Sequence, residues 1–450
     1  MYQFFKDAFF NFELVRLLGS TSFGGCEIGE ALQVLPEIRE QNPESWYNAW
    51  SKAGLRAERL AHEAEQQGNR VARHKALMRA SNYFRAAQFM LNSRPDKRIL
   101  DTAERSVHNF KQGIRLREGP VYELEIPYES IRLPGYLYLP PASKRLPGGK
   151  TPIVITTGGL DSTAEELYLV GGASGPDLGY AVLIFEGPGQ GIVLRREAHS
   201  YMRPDWETVT GPVLDFLYTF ATQHPDLGLD LTRVALHGAT LGGYYALRGA
   251  ADPRISACIA VDPFYSMWEV AVTRMPAPFI NSWTSGWLGD GVFNGTLGLL
   301  SRFNFQLKWE LTQVQWAMGM KTPADAMRRM QDFTLQTADG GEYLHQVKCP
   351  VMITGAAASI YAAEDPSANK IFSRLSHLSE SQKHLWVGKE IAEGDFRQRL
   401  ALLAWRSIGS LRSWIGNLGF TGAYSCKMPR NIIHSQKFSI QDKFSFPSKV

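Results

Sequence analysis

A series of short apolar runs, most of them followed by a glycine-rich turn and a helix-like stretch, constrains this chain more than any other feature. PIVITTGG (152–159), YAVLIFEGPGQG (180–191), RVALHGATLGG (233–243), ISACIAVDPF (255–264), PVMITGAA (350–357) and KHLWV (383–387) form the series. A strand that is apolar at consecutive positions must be covered on both faces. Strands that alternate with helices do this by lying parallel in one sheet with helices above and below it. The pattern therefore predicts an α/β fold built on a mostly parallel, doubly wound sheet.

The flanking texture differs. Residues 1–115 lack strand patterning. The stretches ESWYNAWSKAGLRAERLAHEAEQQGN and RVARHKALMRASNYFRAAQFML place apolar or small residues at i, i+3, i+4 spacing, with Gly68-Asn69 as a stop between them. A helical N-terminal lobe is expected there. VYELEIPYES alternates and IRLPGYLYLP is β-rich, which predicts a hairpin at the start of the larger domain, 116–418. Between the fourth and fifth runs lies a Trp- and Met-rich insert at about 265–345, including FNFQLKWELTQVQWAMGM. In such a fold an insert there usually caps the site. Residues 419–450 lose all periodicity and are expected to form a disordered or atypical tail.

The third run carries the chemistry. Gly238-Ala239-Thr240-Leu241-Gly242 has the frame G-x-[S/T]-x-G, with a strand before it and a helix-like segment after it. That context makes a nucleophile elbow, in which a tight turn holds the middle side chain at the top of the sheet. The alternative is an ordinary glycine-rich turn. An elbow needs an oxyanion hole. One donor is the backbone N–H after the nucleophile, here Leu241. The other comes from the loop after an earlier strand, where TTGGLDS offers the N–H of Gly159 or Leu160. Asp161 or Ser162 can equally serve as a cap for the next helix.

TTGGLDS, FEGPGQG and GATLGGYYALR, with FFNFELVRLLG, ESWYNAW and VMITGAAASIY, resemble the α/β-hydrolases of fungal polyketide and polyketide–peptide clusters, the fusarin- and cytochalasan-pathway members above all. More distant similarity extends to heptaketide chain-shortening hydrolases and to a bacterial hydrolase of nicotine breakdown. The resemblance spans residues 1 to about 418. It implies a helical cap, formed by the N-terminal lobe and the insert, above an α/β-hydrolase sheet. It also implies a bulky, apolar, ketone-rich substrate and no cofactor.

The triad departs from this pattern. The middle residue of the elbow is threonine. Past PVMITG the usual carboxylate place holds Ala358, and the nearest acids are Glu364 and Asp365, which also suit a solvated turn before Pro366. The loop GKEIAEGDF after the last run has no histidine. His384 starts that run, His377 precedes it and His434 is in the tail, while Glu393 and Asp395 occupy the loop itself. The set that the sequence offers is Thr240 with Asp365 and His384. Threonine as a nucleophile elsewhere relies on its own terminal amine as base, which position 240 lacks. Polarising and positioning a reactive carbonyl asks less of the site than forming an acyl-enzyme. The expected function is ring-closing condensation or hydrolytic processing of a polyketide–peptide carbonyl intermediate. The alternatives are a degenerate relative that binds such a compound, and a simple carboxylesterase.

Composition excludes other classes. The net charge is only +4, and the stretch 419–450 holds five Lys/Arg against one Asp, so the rest is balanced and shows no nucleic-acid or membrane footprint. Cys26, Cys258, Cys349 and Cys426 are far apart and have neither metal nor disulfide spacing. The charges in MYQFFKDAFFNFELVRLLG interrupt what a signal peptide would need to be apolar. A cytoplasmic enzyme with a small-molecule substrate is expected, and a homodimer is left open.

Overall fold

The computed structural model describes residues 3–93, 96–146, 148–356 and 367–388. Five helices come first: α1 (Ala8–Gly19), α2 (Ile28–Val34), α3 (Pro43–Gln66), α4 (Arg70–Phe89) and α5 (Arg98–Ile114). Gly68 has φ +68° and closes α3, while Asn69 opens α4 by accepting the Ala72 N–H. The two residues are thus a stop and a start. Phe10, Trp46, Trp50, Tyr83 and Phe89 give these helices a core of their own.

The sheet follows. β1 (Val121–Tyr128) and β2 (Ile131–Tyr138) form an antiparallel hairpin, whose two-residue turn puts Glu129 at φ +48°. β3 (Thr151–Thr157), β4 (Ala181–Phe185), β5 (Leu229–Ala239), β6 (Ala257–Val261), β7 (Val351–Ala356) and β8 (Lys383–Gly388) are parallel to one another. The order across the sheet is β1-β2-β4-β3-β5-β6-β7-β8, with β2 running antiparallel to β4. Every residue of β3, β4 and β6 is buried, so their largely apolar sequences reflect cover on both faces. The run 180–191 yields only five strand residues, because its glycine-rich half turns into the next helix.

Connecting helices are α6 (Ala164–Leu167), α7 (Ser174–Asp177), α8 (Gly191–Arg196), α9 (Glu207–Gln223) and α10 (Leu241–Gly249). The largest core packs Trp206, Val213, Tyr244 and Tyr245 against Leu183, Phe185 and Leu236. After β6 come α11 (Met267–Val272), α12 (Ala277–Thr284), α13 (Asp290–Leu300), α14 (Phe305–Met318) and α15 (Pro323–Met330). Helix α16 (Ser367–Arg374) lies between β7 and β8. The insert has a small core of its own around Trp283, Phe293, Leu297 and Met327, and it also packs on the N-terminal helices. Trp309 of α14 joins the N-terminal core, stacking on Phe89 at 4.6 Å and donating from Nε1 to the Phe89 carbonyl at 2.8 Å.

No helix among the described residues is long and apolar enough to cross a membrane. Nor do they contain a cluster of ligand-type side chains that could hold a metal ion. The expected tail at 419–450 lies outside the described residues.

Candidate active site

Thr240 links β5 to α10 with φ 55° and ψ −116°. A β-branched residue at positive φ is a true outlier, and holding it there costs about 1–3 kcal/mol. The surroundings enforce it. The Thr240 N–H donates to the Val261 carbonyl at 2.8 Å, and its own carbonyl accepts from Gly243 and Tyr244 at 2.9 and 3.1 Å. The flanking glycines have no freedom to change. A Cβ on Gly238 would sit 2.0 Å from the Gly242 carbonyl oxygen, and one on Gly242 would sit 2.6 Å from that of Thr157. This is the geometry of a nucleophile elbow, and it leaves the Thr240 side chain exposed.

The loop after β3 comes up to it. A Cβ built on Gly159 would lie 3.5 Å from Thr240 Oγ1 and 3.6 Å from the Leu241 Cβ. The structure therefore brings Gly159 next to Thr240 and Leu241, and Leu160 follows it in the same loop. Side chains from three distant elements hold that segment. Gln190, beyond β4, donates to the carbonyls of Gly158 and Gly159 at 2.7 and 3.3 Å. Gln313 of α14 donates to the Leu160 carbonyl at 3.3 Å. Arg16 of α1 donates to the Asp161 carboxylate at 2.7 Å.

Arg16 is the centre of a buried charge cluster. Its Nε and Nη2 donate to the two oxygens of Glu166 at 2.5 and 2.6 Å, and Glu13 lies 3.5 Å from Nη1. Arg85 approaches the same Glu166 oxygen at 3.4 Å. Burial pushes Glu13 up to about 7 in spite of Arg16. Burial also opposes ionisation of Glu166, yet Arg16 and Arg85 hold it below its ordinary value. Beside the cluster, Glu186 follows β4 and accepts the N–H groups that open α6 and α8, from Ala164 at 2.8 Å and Ile192 at 2.6 Å. Burial, and then the charge of Glu165, raise it to about 7.

The remaining expected residues do not assemble. Asp365, with Glu364, Glu393, Asp395 and His434, lies outside the described residues. His384 is described, and its position corrects the expectation that it serves Thr240. It is a residue of β8 in register with Met352, which is level with Ile259 and so with His237. Thr240 comes three residues after His237 and three strands away. At ~4.8 Å per strand and ~3.3 Å per residue, that separates the backbones by roughly 14 Å across the sheet and 10 Å along it. The reason is that KHLWV enters the strand at its first residue, whereas chemistry in such a sheet gathers where the strands end. His377 is bound to the Val347 carbonyl at 2.7 Å. His237 pairs with Thr156 at 3.4 Å, and burial lowers it to about 4, so it is a neutral interior group. No histidine among the described residues hydrogen-bonds to Thr240.

Sequence reasoning passed over several residues at the site. Asp262 follows the last residue of β6 with φ +50°, one residue after the carbonyl that binds the Thr240 N–H, and its own N–H donates to the Thr354 carbonyl at 2.9 Å. The signal was VDPF, an acid and a proline at a strand end. Gln190 stood in FEGPGQG, and nothing in the spacing marked it.

No profile of a known protein family matches the chain. Individual proteins do. The α/β hydrolase psoB of Aspergillus fumigatus is 51% identical over 405 residues, covering 89% of this chain and 91% of its own. The 20-hydroxy-prefusarin hydrolase of Gibberella moniliformis is 46% identical over 406 residues, covering 90% and 95%. Among solved structures, 2,6-dihydroxy-pseudo-oxynicotine hydrolase aligns with a TM-score of 0.66 at 21% identity, over 90% of this chain and 97% of that one. That likeness is one of fold.

Proposed function

Because this chain belongs to the family of fungal α/β hydrolases that includes psoB and the 20-hydroxy-prefusarin hydrolase, we propose that it acts on a bulky, apolar carbonyl intermediate of polyketide–peptide biosynthesis. The step is ring-closing condensation to a pyrrolone-type ring, or hydrolytic processing of a related intermediate. One observation carries this reading: the Thr240 hydroxyl, on a strained elbow, faces the Gly159 loop with no histidine bonded to it among the described residues.

Such a site polarises a carbonyl better than it forms an ester. In a condensation, an acidic C–H beside one carbonyl gives up its proton to a solvent base, the resulting enolate attacks a second carbonyl, and the alkoxide so formed takes a proton from solvent before leaving as water. Negative charge grows on the second carbonyl's oxygen during the attack. N–H groups of Leu241 and of Gly159 or Leu160 would stabilise it without a covalent intermediate. Thr240 would orient the substrate by hydrogen bonding.

The test is a reconstituted pathway with and without this protein, and with Thr240→Ala. Product lost on omission and reduced by Thr240→Ala supports the reading. An unchanged metabolite profile on deletion of the gene refutes a biosynthetic role. A second reading, binding without chemistry, has the threonine at the elbow in its favour. Full product formation with Thr240→Ala would select it.

A further inference from the structure

FEGPGQG ends β4 with a tight turn, in which the Gln190 N–H donates to Gly187 O at 3.1 Å and the Gln190 carbonyl accepts from Leu194 as α8 begins. The backbone of Gln190 is therefore fixed. Its side chain is fixed too. It is 1% exposed, and its Oε1 accepts from the Gly187 N–H at 2.9 Å. That contact decides which end of the amide is which. The NH2 end must face the other way, onto Gly158 O at 2.7 Å and Gly159 O at 3.3 Å.

Two successive carbonyls thus share one donor, with a consequence for the N–H groups. In a trans peptide the C=O and the N–H point to opposite sides. Drawing the Gly158 carbonyl toward Gln190 turns the Gly159 N–H away from it. Drawing in the Gly159 carbonyl does the same for the Leu160 N–H. Successive N–H groups that point one way form an anion-binding concavity. These are the two candidates for the second donor of the expected oxyanion hole, beside the Leu241 N–H, and the space beside Gly159 is where Thr240 Oγ1 lies.

We propose that Gln190 is a positioning residue: it clamps the carbonyls of Gly158 and Gly159 and so presents the Gly159 and Leu160 N–H groups to the oxygen of a substrate ketone or aldehyde. This rests on the reading that the site polarises a carbonyl. It goes further in assigning the control of that polarisation to a side chain that touches neither the substrate nor Thr240. Gln313 and Arg16 restrain the next two residues of the loop but not these two peptide planes.

The probe is 2-undecanone labelled with 13C at its carbonyl, followed by isotope-edited infrared difference spectroscopy on the full chain. In the wild type the bound carbonyl band should move to lower wavenumber than in hexane. Gln190→Met keeps the side-chain length and removes the donor, so the displacement should shrink to the share that the Leu241 N–H gives by itself. Gln190→Glu adds a signature that a merely structural role would not give. The introduced carboxyl group repels both carbonyls when ionised and, when protonated, donates its one O–H to the nearer, Gly158 O. Burial raises the pKa of such a carboxyl. The displacement should therefore return as pH falls through that pKa.

A displacement equal in wild type and Gln190→Met overturns the positioning role and leaves the hole standing. A wild-type band that stays where it lies in solvent overturns the hole, and this role with it. If Gln190→Met does not fold, the Gln190→Glu titration decides: recovery at low pH supports the role, and a flat profile overturns it.

Discussion

Replacing Arg16 by methionine tests whether the N-terminal lobe holds the site through charge. The substitution keeps the apolar stem and deletes a guanidinium that is 7% exposed as a residue. Glu166 loses two bonds of 2.5 and 2.6 Å, and Asp161 loses one of 2.7 Å. Glu166 is then left with Arg85 at 3.4 Å. Removing one partner of a buried ion pair costs about 3–5 kcal/mol, because the other charge stays buried. With an unfolding entropy of roughly 2 cal/mol/K per residue, a chain of this size loses about 1 °C of Tm per kcal/mol. Arg16→Met should therefore melt ~3–5 °C below the wild type at pH 7.5, by calorimetry or circular dichroism. The partner variant sharpens the test. Glu166→Gln removes the charge that Arg16 neutralises, so the losses of the two single variants should exceed that of the double by at least ~1.5 kcal/mol, in the range of interaction energies for contacting groups. A Tm within about 1 °C of the wild type, or losses that simply add, would refute the argument that this cluster is a stabilising joint.

Further outcomes follow from other parts of the site. Glu13 keeps its proton in the folded chain up to about pH 7, against an ordinary value of 4.5. Its contribution is full below about 4.5 and is lost as pH rises through 7, a change of roughly 3 kcal/mol. Glu13→Gln should therefore flatten the decline in Tm between pH 5 and 8, and an unaltered slope would exclude Glu13 as its source. Thr240→Ser removes the branching methyl at a positive φ and should raise Tm by no more than ~1–3 °C as part of that strain is relieved. Base assistance is worth roughly 10²–10⁴-fold, so without it nitrophenyl-ester turnover should rise little, and a hundredfold gain would mean that a base is present. Gly238→Ala forces a Cβ to within 2.0 Å of a backbone oxygen and should abolish the elbow, seen as loss of conversion together with a lower Tm. His384→Ala should leave conversion in a reconstituted pathway at wild-type level, and a large loss would contradict its place at the far side of the sheet.

Legibility in the sequence followed the range of the forces involved. The parallel strands were readable because burial on both faces writes a largely apolar run into each. The elbow was readable because two carbonyls at 2.0 and 2.6 Å leave room for glycine alone. Gly159 and Leu160 could be named because the loop after the first parallel strand must approach the elbow. The residues that hold this loop could not. Arg16 meets Glu166 across 150 positions and Gln313 meets Leu160 across 153, and no local period records such a pairing. His384 was chosen because it was the histidine nearest the right loop in sequence. Its place at the start of the run KHLWV was legible, and the register β5–β6–β7–β8 turns that place into a distance from Thr240. Asp365 lies outside the described residues.

Trp309 has a bearing on how proteins of this kind can be recombined. The insert between β6 and β7 reaches back through this indole into the packing of the first five helices, against Phe9 at 5.3 Å and Phe89 at 4.6 Å. Two segments more than 200 residues apart are therefore one inheritable unit. A graft that carries the insert of one relative onto the scaffold of another, without its matching leader helices, would bring an aromatic plug to a socket shaped for a different one. Substrate preference, if the insert sets it, should transfer only when both pieces travel together.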